Sequence, residues 1–409
     1  MKLARLFPAL AVVGLFVTAC GGGTGGSPTP SANVPSDLSI SSFTTDFSYM
    51  SKLTNLTTSG KGLVGVILPD TSTSGRYVAY DTPYLTKAAQ GAGYTVGTNF
   101  KIDNAAGQES QELAIAQADI TAGASVLIMD PLNSTVGSQI QSLAQSHGVK
   151  VISYDRATFT GTNTYYVSFD NVQVGELIGK GFVQCVTDWK VSNPQVFELD
   201  GGQNSDPNAI DFAKGYNDAI WGSKTTPLSP GKTNSQGMTL VNEVIAEDWN
   251  NATGQAKFQA AYSPGTKINA TVEANDGLGN AVVTVLKSKG VKANTVPTTG
   301  QDASLDGMVN VLQGYQCGSV YKAISLEAQD AVALATVLRA GATPPTALLN
   351  STTTPPSGVS GSTQPASLLV PQWVTKSNME STVIKDKVID VATLCGKVTQ
   401  AVCTANGIA

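Results

Sequence analysis

The chain has 409 residues, a net charge of −5 and a pI near 5.0. Its length suits two domains, and its acidic balance without a Lys/Arg cluster argues against a nucleic-acid partner. Because only 13% of its residues are charged and glycine is abundant, the fold must rest on apolar burial and many turns.

The N-terminus has the features of a signal peptide, with a short basic start before the apolar run LFPALAVVGLFV. This run is too short to span a bilayer. It leads into VTAC, which resembles the bacterial lipobox, so we predict a signal peptide over residues 1–19 and lipidation of Cys20. The alternative is an ordinary secretory signal with a chance cysteine. The Gly/Ser/Thr/Pro-rich sequence that follows favours a lipid-anchored flexible tether over residues 20–57, and no other window approaches a membrane span.

Beyond this tether, strand-like apolar runs alternate with helical stretches. The predicted strands cover residues 62–68, 125–130, 150–155, 195–201, 269–276 and 319–324. The predicted helices cover residues 82–93, 109–123, 136–148, 174–189, 209–221, 278–290 and 304–314. Such alternation predicts parallel sheets with helices on both faces. Because so many units exceed one compact sheet, we predict an α/β protein with two doubly wound lobes and a first crossing between them within residues 165–176.

Four cysteines remain besides Cys20, and an even count outside the cytoplasm allows disulfides. Cys395 and Cys403 close a short loop and are predicted to pair. Cys185 and Cys317 then pair by elimination. Neither pair has CxxC spacing, which argues against redox catalysis and a zinc site, so no metal and no cofactor are predicted.

Polar residues stand where predicted strands end, in both halves of the chain. They are Arg76 and Tyr77, Asp155 and Arg156, Asp206 and Asn208, Asn275 and Asp276, Asp302, and Lys322. Ligands of open parallel sheets bind just beyond the carboxyl ends of the strands. Carboxylates accept hydrogen bonds, Arg and Lys donate them, and Asn does both, a mixture that suits an uncharged polyol. A phosphate or carboxylate ligand would instead favour net positive charge.

Structural roles are the alternatives for several of these residues. The adjacent Asp155 and Arg156 of VISYDR form either a ligand site or a surface ion pair, which would contribute little to stability. Asp276 is predicted to be the N-cap of the helix that follows it rather than a ligand. Asp170 and Asn171, at the predicted crossing, are expected to form hinge hydrogen bonds.

Catalysis is not predicted. The only histidine, His147, sits at a predicted helix end before a glycine and is expected to be structural. No GxSxG elbow or P-loop is present, no GxGxxG motif follows a predicted strand, and one histidine cannot build a histidine metal cluster. Asp155 and Asp302 could mimic the carboxylate pair of a glycosidase. Each is expected beside a cation or an amide that keeps it ionised, so neither could act as the acid.

Several motifs follow one another in a specific order: GRY, VISYDR, YVSFDNVQVGELIGK, GG before DPNA, EANDGLGNAV, TGQDASLDG, VYKAI and STVIKD. This order resembles the periplasmic sugar-binding proteins of ABC importers, specifically the D-xylose-binding branch of the ribose-type family. The resemblance implies the type I periplasmic binding protein fold, whose two lobes are joined by a multi-strand hinge. We accordingly assign residues 58–168 plus 322–360 to an N-terminal lobe and residues 169–321 plus 361–409 to a C-terminal lobe.

The resemblance also implies a ligand site at nine positions. Those that match N-terminal-lobe ligands are Arg76, its aromatic neighbour Tyr77, and the pair Asp155 and Arg156, which grips adjacent hydroxyls. Those that match C-terminal-lobe or hinge ligands are Asn208, Asn275, Asp302 and Lys322. A tryptophan that stacks on the sugar ring is matched by Trp249, two residues out of register.

Together these features predict an extracytoplasmic lipoprotein that captures a monosaccharide, D-xylose first, by hinge closure. It is expected to deliver the sugar to the membrane permease of an ABC importer. Another aldose (glucose, arabinose or ribose) and a chemosensory receptor role are the alternatives. The bilayer is expected to be contacted only through the N-terminal anchor, and the protein is expected to be a monomer.

Overall fold

The structure is a computed structural model that describes residues 33–71, 76–222, 229–263 and 265–408. The predicted signal peptide, Cys20 and the first part of the predicted tether lie outside these residues. Two lobes of mainly parallel strands covered by helices make up the described chain, which confirms the predicted fold class. In none of the described ranges is a helix long and apolar enough to cross a membrane.

The elements follow one another as strands and helices along the chain. The strands are β1 Leu63–Leu68, β2 Phe100–Asn104, β3 Ala124–Met129, β4 Lys150–Tyr154, β5 Thr164–Phe169, β6 Gln195–Gly201, β7 Thr239–Ala246, β8 Ala270–Glu273, β9 Ser319–Tyr321, β10 Ser351–Thr353, β11 Gln364–Leu369 and β12 Gln372–Val374. The helices are α1 Thr54–Ser59, α2 Thr82–Gly91, α3 Glu109–Thr121, α4 Ser134–Ser146, α5 Asn171–Asp188, α6 Pro207–Trp221, α7 Asn251–Ala261, α8 Asp276–Ser288, α9 Leu305–Gln313, α10 Ile324–Arg339, α11 Val391–Lys397 and α12 Gln400–Ala405.

The first lobe is built on a seven-stranded sheet in the order β10-β11-β5-β4-β3-β1-β2. Its neighbours are parallel except for β10 and β11. Every residue of β1 is buried, as expected for a parallel strand with helices on both faces. Helix α10 packs against β3, β4 and β5 and buries 14 of its 16 residues, so it is the central helix of this lobe.

The second lobe has a parallel sheet in the order β7-β6-β8 and an antiparallel pair of β9 with β12. Residues 297–302 join the two, because Thr271 N donates to the Pro297 carbonyl and Val320 N to the Gly300 carbonyl. Helices α5 and α6 pack at close range. A Cβ on Gly175 would lie 2.0 Å from the Phe212 carbonyl oxygen, so only glycine permits this approach.

The chain crosses between the lobes three times. It leaves the first lobe between β5 and α5, returns between β9 and α10, and leaves again between β11 and β12. The third crossing differs from the prediction, which gave residues 361–409 to the C-terminal lobe. Gln364–Leu369 pairs with β5, with Ala366 opposite Tyr166, and so belongs to the first-lobe sheet. Composition alone does not reveal a pairing partner that is so distant in sequence.

The predicted tether is too long. Leu38, Phe43, Phe47, Met50 and Leu53 are buried in the core of the first lobe. They are spaced among Ser, Thr and Asp, so the average composition of the segment conceals them. The described part of the tether is a folded part of the first lobe, because these five side chains give it enough apolar surface to bury.

Both predicted disulfides are present, and both lie in the second lobe. Cys185 of α5 pairs with Cys317, just before β9, across 132 residues. Cys395 of α11 pairs with Cys403 of α12 across 8 residues, and Ile408 is buried in the same cluster as this second pair. Crosslinks of this kind stabilise a fold largely by restricting the unfolded chain, so the second lobe gains this stabilisation directly.

Candidate functional site

A cleft between the lobes collects the carboxyl ends of strands from both sheets. All nine predicted ligand residues line it: Arg76, Tyr77, Asp155, Arg156, Asn208, Trp249, Asn275, Asp302 and Lys322. Three other described residues that line it are Asp206, Phe212 and Gln301. Its empty space is about 430 Å³ when the open solvent at its mouth is counted.

A larger hollow of about 1360 Å³, including open solvent, lies between α6 and residues 351–357 and is also lined by residues of β5 and α5. None of the nine predicted residues lines it. Volume alone does not identify a ligand site, whereas convergent charged, amide and aromatic side chains do. The cleft is therefore the candidate site.

Arg76 is held by three buried carboxylates. Its Nε and Nη2 donate to the two oxygens of Asp81 at 2.9 Å each. Nη2 also donates to Glu327 Oε2 at 2.9 Å, and Nη1 donates to Asp155 Oδ1 at 2.6 Å. The Tyr154 hydroxyl donates to Asp81 Oδ1 at 2.6 Å, which fixes that carboxylate. Bonds of this number set the guanidinium orientation before any ligand arrives.

Asp155 connects this network to the hinge. Lys322, at the second crossing, places Nζ 3.4 Å from Asp155 Oδ1 and 3.4 Å from Asp302 Oδ1, so one ammonium bridges carboxylates of both lobes. Burial opposes the charged form of Asp155. The positive charges of Arg76, Lys322 and Arg156 outweigh this and hold the pKa of the Asp155 carboxyl below its usual range.

Arg156 points away from its chain neighbour. Its Nε lies 3.4 Å from Asp206 Oδ2, and its Nη1 donates to the carbonyls of Pro131 and Leu132 at 3.2 and 3.3 Å. Asp155 and Arg156 are only 7% and 9% exposed, so the pair is not a surface ion pair. The cations in contact with the Asp155 carboxylate are Arg76 and Lys322 rather than Arg156.

The second-lobe wall presents two aromatic rings. Trp249 and Phe212 lie edge to face with centroids 6.1 Å apart, and Trp249 Nε1 donates to Asp206 Oδ2 at 3.1 Å. Two glycines lie beneath the indole: a Cβ on Gly201 would be 2.0 Å from Trp249 Cε3, and one on Gly202 would be 2.5 Å from Nε1. The GG pair after β6 therefore makes room for the tryptophan.

Asn275, rather than Asp276, is the residue that caps α8. Asn275 is the N-cap of α8, since its Oδ1 accepts from Leu278 N at 2.9 Å, and it also lines the cleft. The prediction that Asp276 is the cap is wrong. Asp276 is buried and accepts from Ser304 N, Gln316 Nε2 and Ser319 Oγ at 2.7–2.8 Å, and burial raises its pKa to about 7.

The other predicted structural residues have local partners. Asp170 caps α5 by accepting from Gln173 N, and Asn171 Nδ2 donates to the Tyr166 hydroxyl at 2.9 Å beside the first crossing. His147 ends α4, with Nδ1 3.0 Å from the Leu143 carbonyl oxygen. Within the described ranges, no group of three or more His, Cys, Asp or Glu residues is placed to hold a metal ion.

The cleft residues that the ligand prediction omits carry weak sequence signals. Asp206 and Gln301 lie in quoted motifs at strand ends, beside predicted ligands. Phe212 is four residues after Asn208 in α6, one helical turn along the same face. Asp81 and Glu327 have no local signal, because their partner Arg76 is identified only by the fold.

Comparisons with known proteins agree with this geometry. Residues 64–343 match the family described as a periplasmic binding protein domain. The D-xylose-binding periplasmic protein of Escherichia coli (strain K12) is 31% identical over 292 residues, which cover 71% of this chain and 82% of that protein. The multiple sugar-binding periplasmic receptor ChvE of Rhizobium radiobacter is 29% identical over 332 residues, covering 80% of this chain and 90% of the receptor. These relatives are binding proteins, which confirms the prediction of a non-enzyme.

Solved structures share the two-lobed fold. A carbohydrate transporter solute binding protein from Chloroflexus aurantiacus, in complex with D-glucose, has a TM-score of 0.67 at 23% identity, covering 81% of this chain and 98% of its own. A Caulobacter myo-inositol binding protein bound to myo-inositol has a TM-score of 0.62 at 18% identity, with coverage of 81% and 98%. Identities this low establish agreement of fold.

Proposed function

Because this chain belongs to the periplasmic binding protein family, we propose that it captures a monosaccharide, D-xylose first, between its two lobes and delivers it to an ABC importer. The family acts outside the cytoplasm. The observation that carries the proposal is the composition of the cleft wall. Fixed cations, carboxylates and amides surround a cavity that also presents the rings of Trp249 and Phe212. Sugars offer hydroxyls that both donate and accept, and C–H faces that pack on aromatic rings.

The arrangement supports capture by closure. Arg76 and Arg156 project from the first lobe, Lys322 stands at a crossing, and Asn275 and Asp302 come from the second lobe. A sugar that touches both walls draws the lobes together about the three crossings and loses its hydration shell as they meet. Charge-assisted hydrogen bonds contribute about 1.5–3 kcal/mol each, which is enough to orient the ring and separate epimers.

D-Xylose is the preferred ligand because the chain carries the motif order of the D-xylose-binding branch. A second candidate is a broader aldose specificity with a receptor role. It is favoured by the 29% identity to the multiple sugar-binding receptor ChvE over 80% of this chain. Glucose, arabinose and ribose are the aldoses to compare.

The test is a calorimetric titration of the purified protein with D-xylose, D-glucose, L-arabinose and D-ribose. We expect D-xylose to bind at micromolar concentration or tighter. Equal affinity for several aldoses would support the broader specificity, and binding of none would refute the proposal. Loss of sugar uptake on deletion of the gene, with chemotaxis intact, would favour transport over sensing.

Anchoring is proposed from the lipobox-like VTAC sequence, and it is tested separately. Cys20→Ser should release the protein from the membrane fraction or block its processing. A variant that stays membrane-bound and is cleaved normally would contradict the lipid anchor. The monomeric state is checked by light scattering on detergent-solubilised protein.

A further inference from the structure

Asn208 joins the two lobes through its side-chain amide. The residue lies in the first turn of α6, in the second lobe, and is 3% exposed. Its Nδ2 donates to the Asp155 carbonyl oxygen at 2.6 Å, and its Oδ1 accepts from Ala157 N at 3.2 Å. Both partners are main-chain groups of the turn after β4, in the first lobe. One amide thus satisfies a carbonyl and an N–H at the end of a strand.

The turn that Asn208 binds has an uncommon backbone. Asp155 has a φ of 58°, in the left-handed region that non-glycine residues adopt at a cost. Such a conformation persists when surrounding bonds hold it. The Asp155 N–H donates to the Val167 carbonyl at 3.0 Å, within the first lobe. The Asp155 carbonyl is held from the second lobe by Asn208.

Tyr166 extends this contact to the first crossing. Its hydroxyl lies 2.8 Å from the Asp155 carbonyl oxygen and 3.3 Å from Asn208 Oδ1, and it accepts from Asn171 Nδ2 at 2.9 Å. Tyr166 belongs to β5 of the first lobe, whereas Asn171 and Asn208 begin α5 and α6 of the second. A first-lobe hydroxyl is therefore held between two second-lobe amides.

We propose that Asn208, Asp155, Ala157 and Tyr166 form an interlobe latch that stabilises the closed cleft whichever sugar is bound. The inference rests on the proposed capture function and reassigns Asn208, which the family resemblance implies to be a sugar ligand. Its first-lobe partners are two backbone groups and a tyrosine that does not line the cleft. The bonds of the latch therefore do not depend on the positions of the sugar hydroxyls.

This role predicts a specific pattern of affinities. A residue that contacts the sugar changes the ratio of affinities between two sugars, because the sugars differ in the hydroxyls that it touches. A latch changes the equilibrium between open and closed lobes, which multiplies every affinity by the same factor. The two roles are therefore distinguished by the ratio of the affinities for the two sugars, not by how much affinity is lost.

The experiment compares wild type with Asn208→Ala, Tyr166→Phe and the control Asn275→Ala, measuring affinity and dissociation rate for D-xylose and for its C3 epimer D-ribose. Asn208→Ala should weaken both sugars by one common factor of about ten or more, mainly through faster dissociation. Tyr166→Phe, which leaves the cleft lining intact, should act in the same direction by a smaller factor. Asn275→Ala should change the ratio. A changed ratio in Asn208→Ala, or unchanged affinities, would overturn the latch.

A second measurement reads the latch without sugar, so that its result stands even if neither sugar binds. Spin labels on Ser142→Cys and Ser288→Cys, exposed positions of the first and second lobes, report the distance between lobes. Asn208→Ala should shift or broaden the distribution towards longer distances. An unchanged distribution would refute the latch, whereas failure of wild type to bind any sugar would refute the proposed function alone.

Discussion

The two walls of the cleft are built on different principles. The first-lobe wall carries Arg76 and Arg156, each with buried carboxylates of its own lobe within 4 Å. The second-lobe wall carries Trp249, Phe212 and Asn275, and none of its described cleft residues is a cation. The first wall presents cations that are paired with carboxylates of their own lobe, whereas the second presents aromatic rings, amides and the carboxylates of Asp206 and Asp302.

The two walls therefore differ in which interactions must form as the protein folds and which can be completed by a bound ligand. A buried guanidinium costs several kcal/mol unless it is paired, so the first wall has to be assembled with its carboxylates as the lobe folds. The side-chain oxygen of Asn275 caps α8, which stabilises the helix modestly. The amide nitrogen of the same side chain is not needed for this cap. Removal of Arg76, which pairs with several carboxylates of its own lobe, should therefore reduce both stability and binding, whereas changes to the second wall should affect stability and binding separately.

The largest effect is expected for Arg76→Ala. It leaves Asp81 without a compensating cation, Asp155 without one of its two cations and Glu327 without its donor in a buried site, so the free energy of unfolding should fall by about 3–5 kcal/mol and sugar binding should be lost. Denaturant unfolding and calorimetry measure the two. Lys52→Ala, which breaks an exposed pair with Asp37, is the control and should leave the melting temperature unchanged. If Arg76→Ala were as stable as the wild-type protein, the contrast between the two walls of the cleft would be wrong.

Arg156→Ala is expected to reduce affinity more than stability. Its guanidinium pairs with Asp206 across the cleft, and the pKa of Asp206 is already raised by burial against the pull of Arg156, so this carboxyl can protonate when the cation is removed. Affinity for D-xylose should fall about hundredfold, or ~2.7 kcal/mol, with less than about 1 kcal/mol lost from unfolding. Melting with and without sugar measures both. A sugar-induced rise in melting temperature equal to that of wild type would show that the site is misplaced.

Two buried glutamates extend the comparison to pH. Burial raises the pKa of Glu327 to about 8 although Arg76 is in contact with it. Glu273 lies behind the second wall, where its Oε2 accepts from Thr299 N, and burial raises its pKa to about 8. Because the folded pKa exceeds that of the unfolded chain, the folded protein binds the extra proton between about pH 4 and 8. The free energy of unfolding therefore falls as pH rises through this window.

Glu273→Gln keeps the acceptor for Thr299 N and removes the titration. The slope of unfolding free energy against pH should then be smaller than in wild type by about 1 kcal/mol per pH unit between pH 5 and 7. Urea unfolding across that range measures it. Parallel curves for the two proteins would show that Glu273 is ionised in the folded state.

The smallest expected effect separates the two roles of Asn275. Asn275→Asp retains an oxygen to cap α8, whereas Asn275→Ala removes the cap and should cost about 1 kcal/mol of stability. Both variants lose the amide donor, so both should bind sugar more weakly. Thermal melting and titration of the pair provide the test. Equal stability of the two variants would show that the cap contributes nothing, and unaltered affinity would remove Asn275 from the ligand set.

The sequence predicts the cleft better than it predicts what supports it. Arg76, Asp155 and Lys322 meet because residues at strand ends of parallel sheets converge, and because the motif order fixes their register. Glu327 is 251 residues from its partner Arg76, and no local pattern indicates such a pair. The nine residues share one cavity, and their contacts with sugar stay a prediction.

Some helices and strands cannot be predicted from hydrophobic periodicity, for physical reasons. Helix α10 is buried on nearly all sides, so it has no polar stripe that would reveal its period, and the sequence pattern does not predict it. The short strands β2 and β10 are only partly buried and lack a clear alternation. Asn275 and Asp276 are both acceptable caps by residue type, and the choice depends on which side chain finds buried donors.

The three crossings have a consequence for reporting closure in living cells. An odd number places Leu38 in the core of one lobe and Ile408 in the core of the other. A fluorescent protein inserted just before residue 33 would move with the first lobe, and one fused after Ile408 would move with the second. Energy transfer between the two fluorophores would then follow opening and closing without any change to the cleft, which makes this topology a ready scaffold for a genetically encoded sensor.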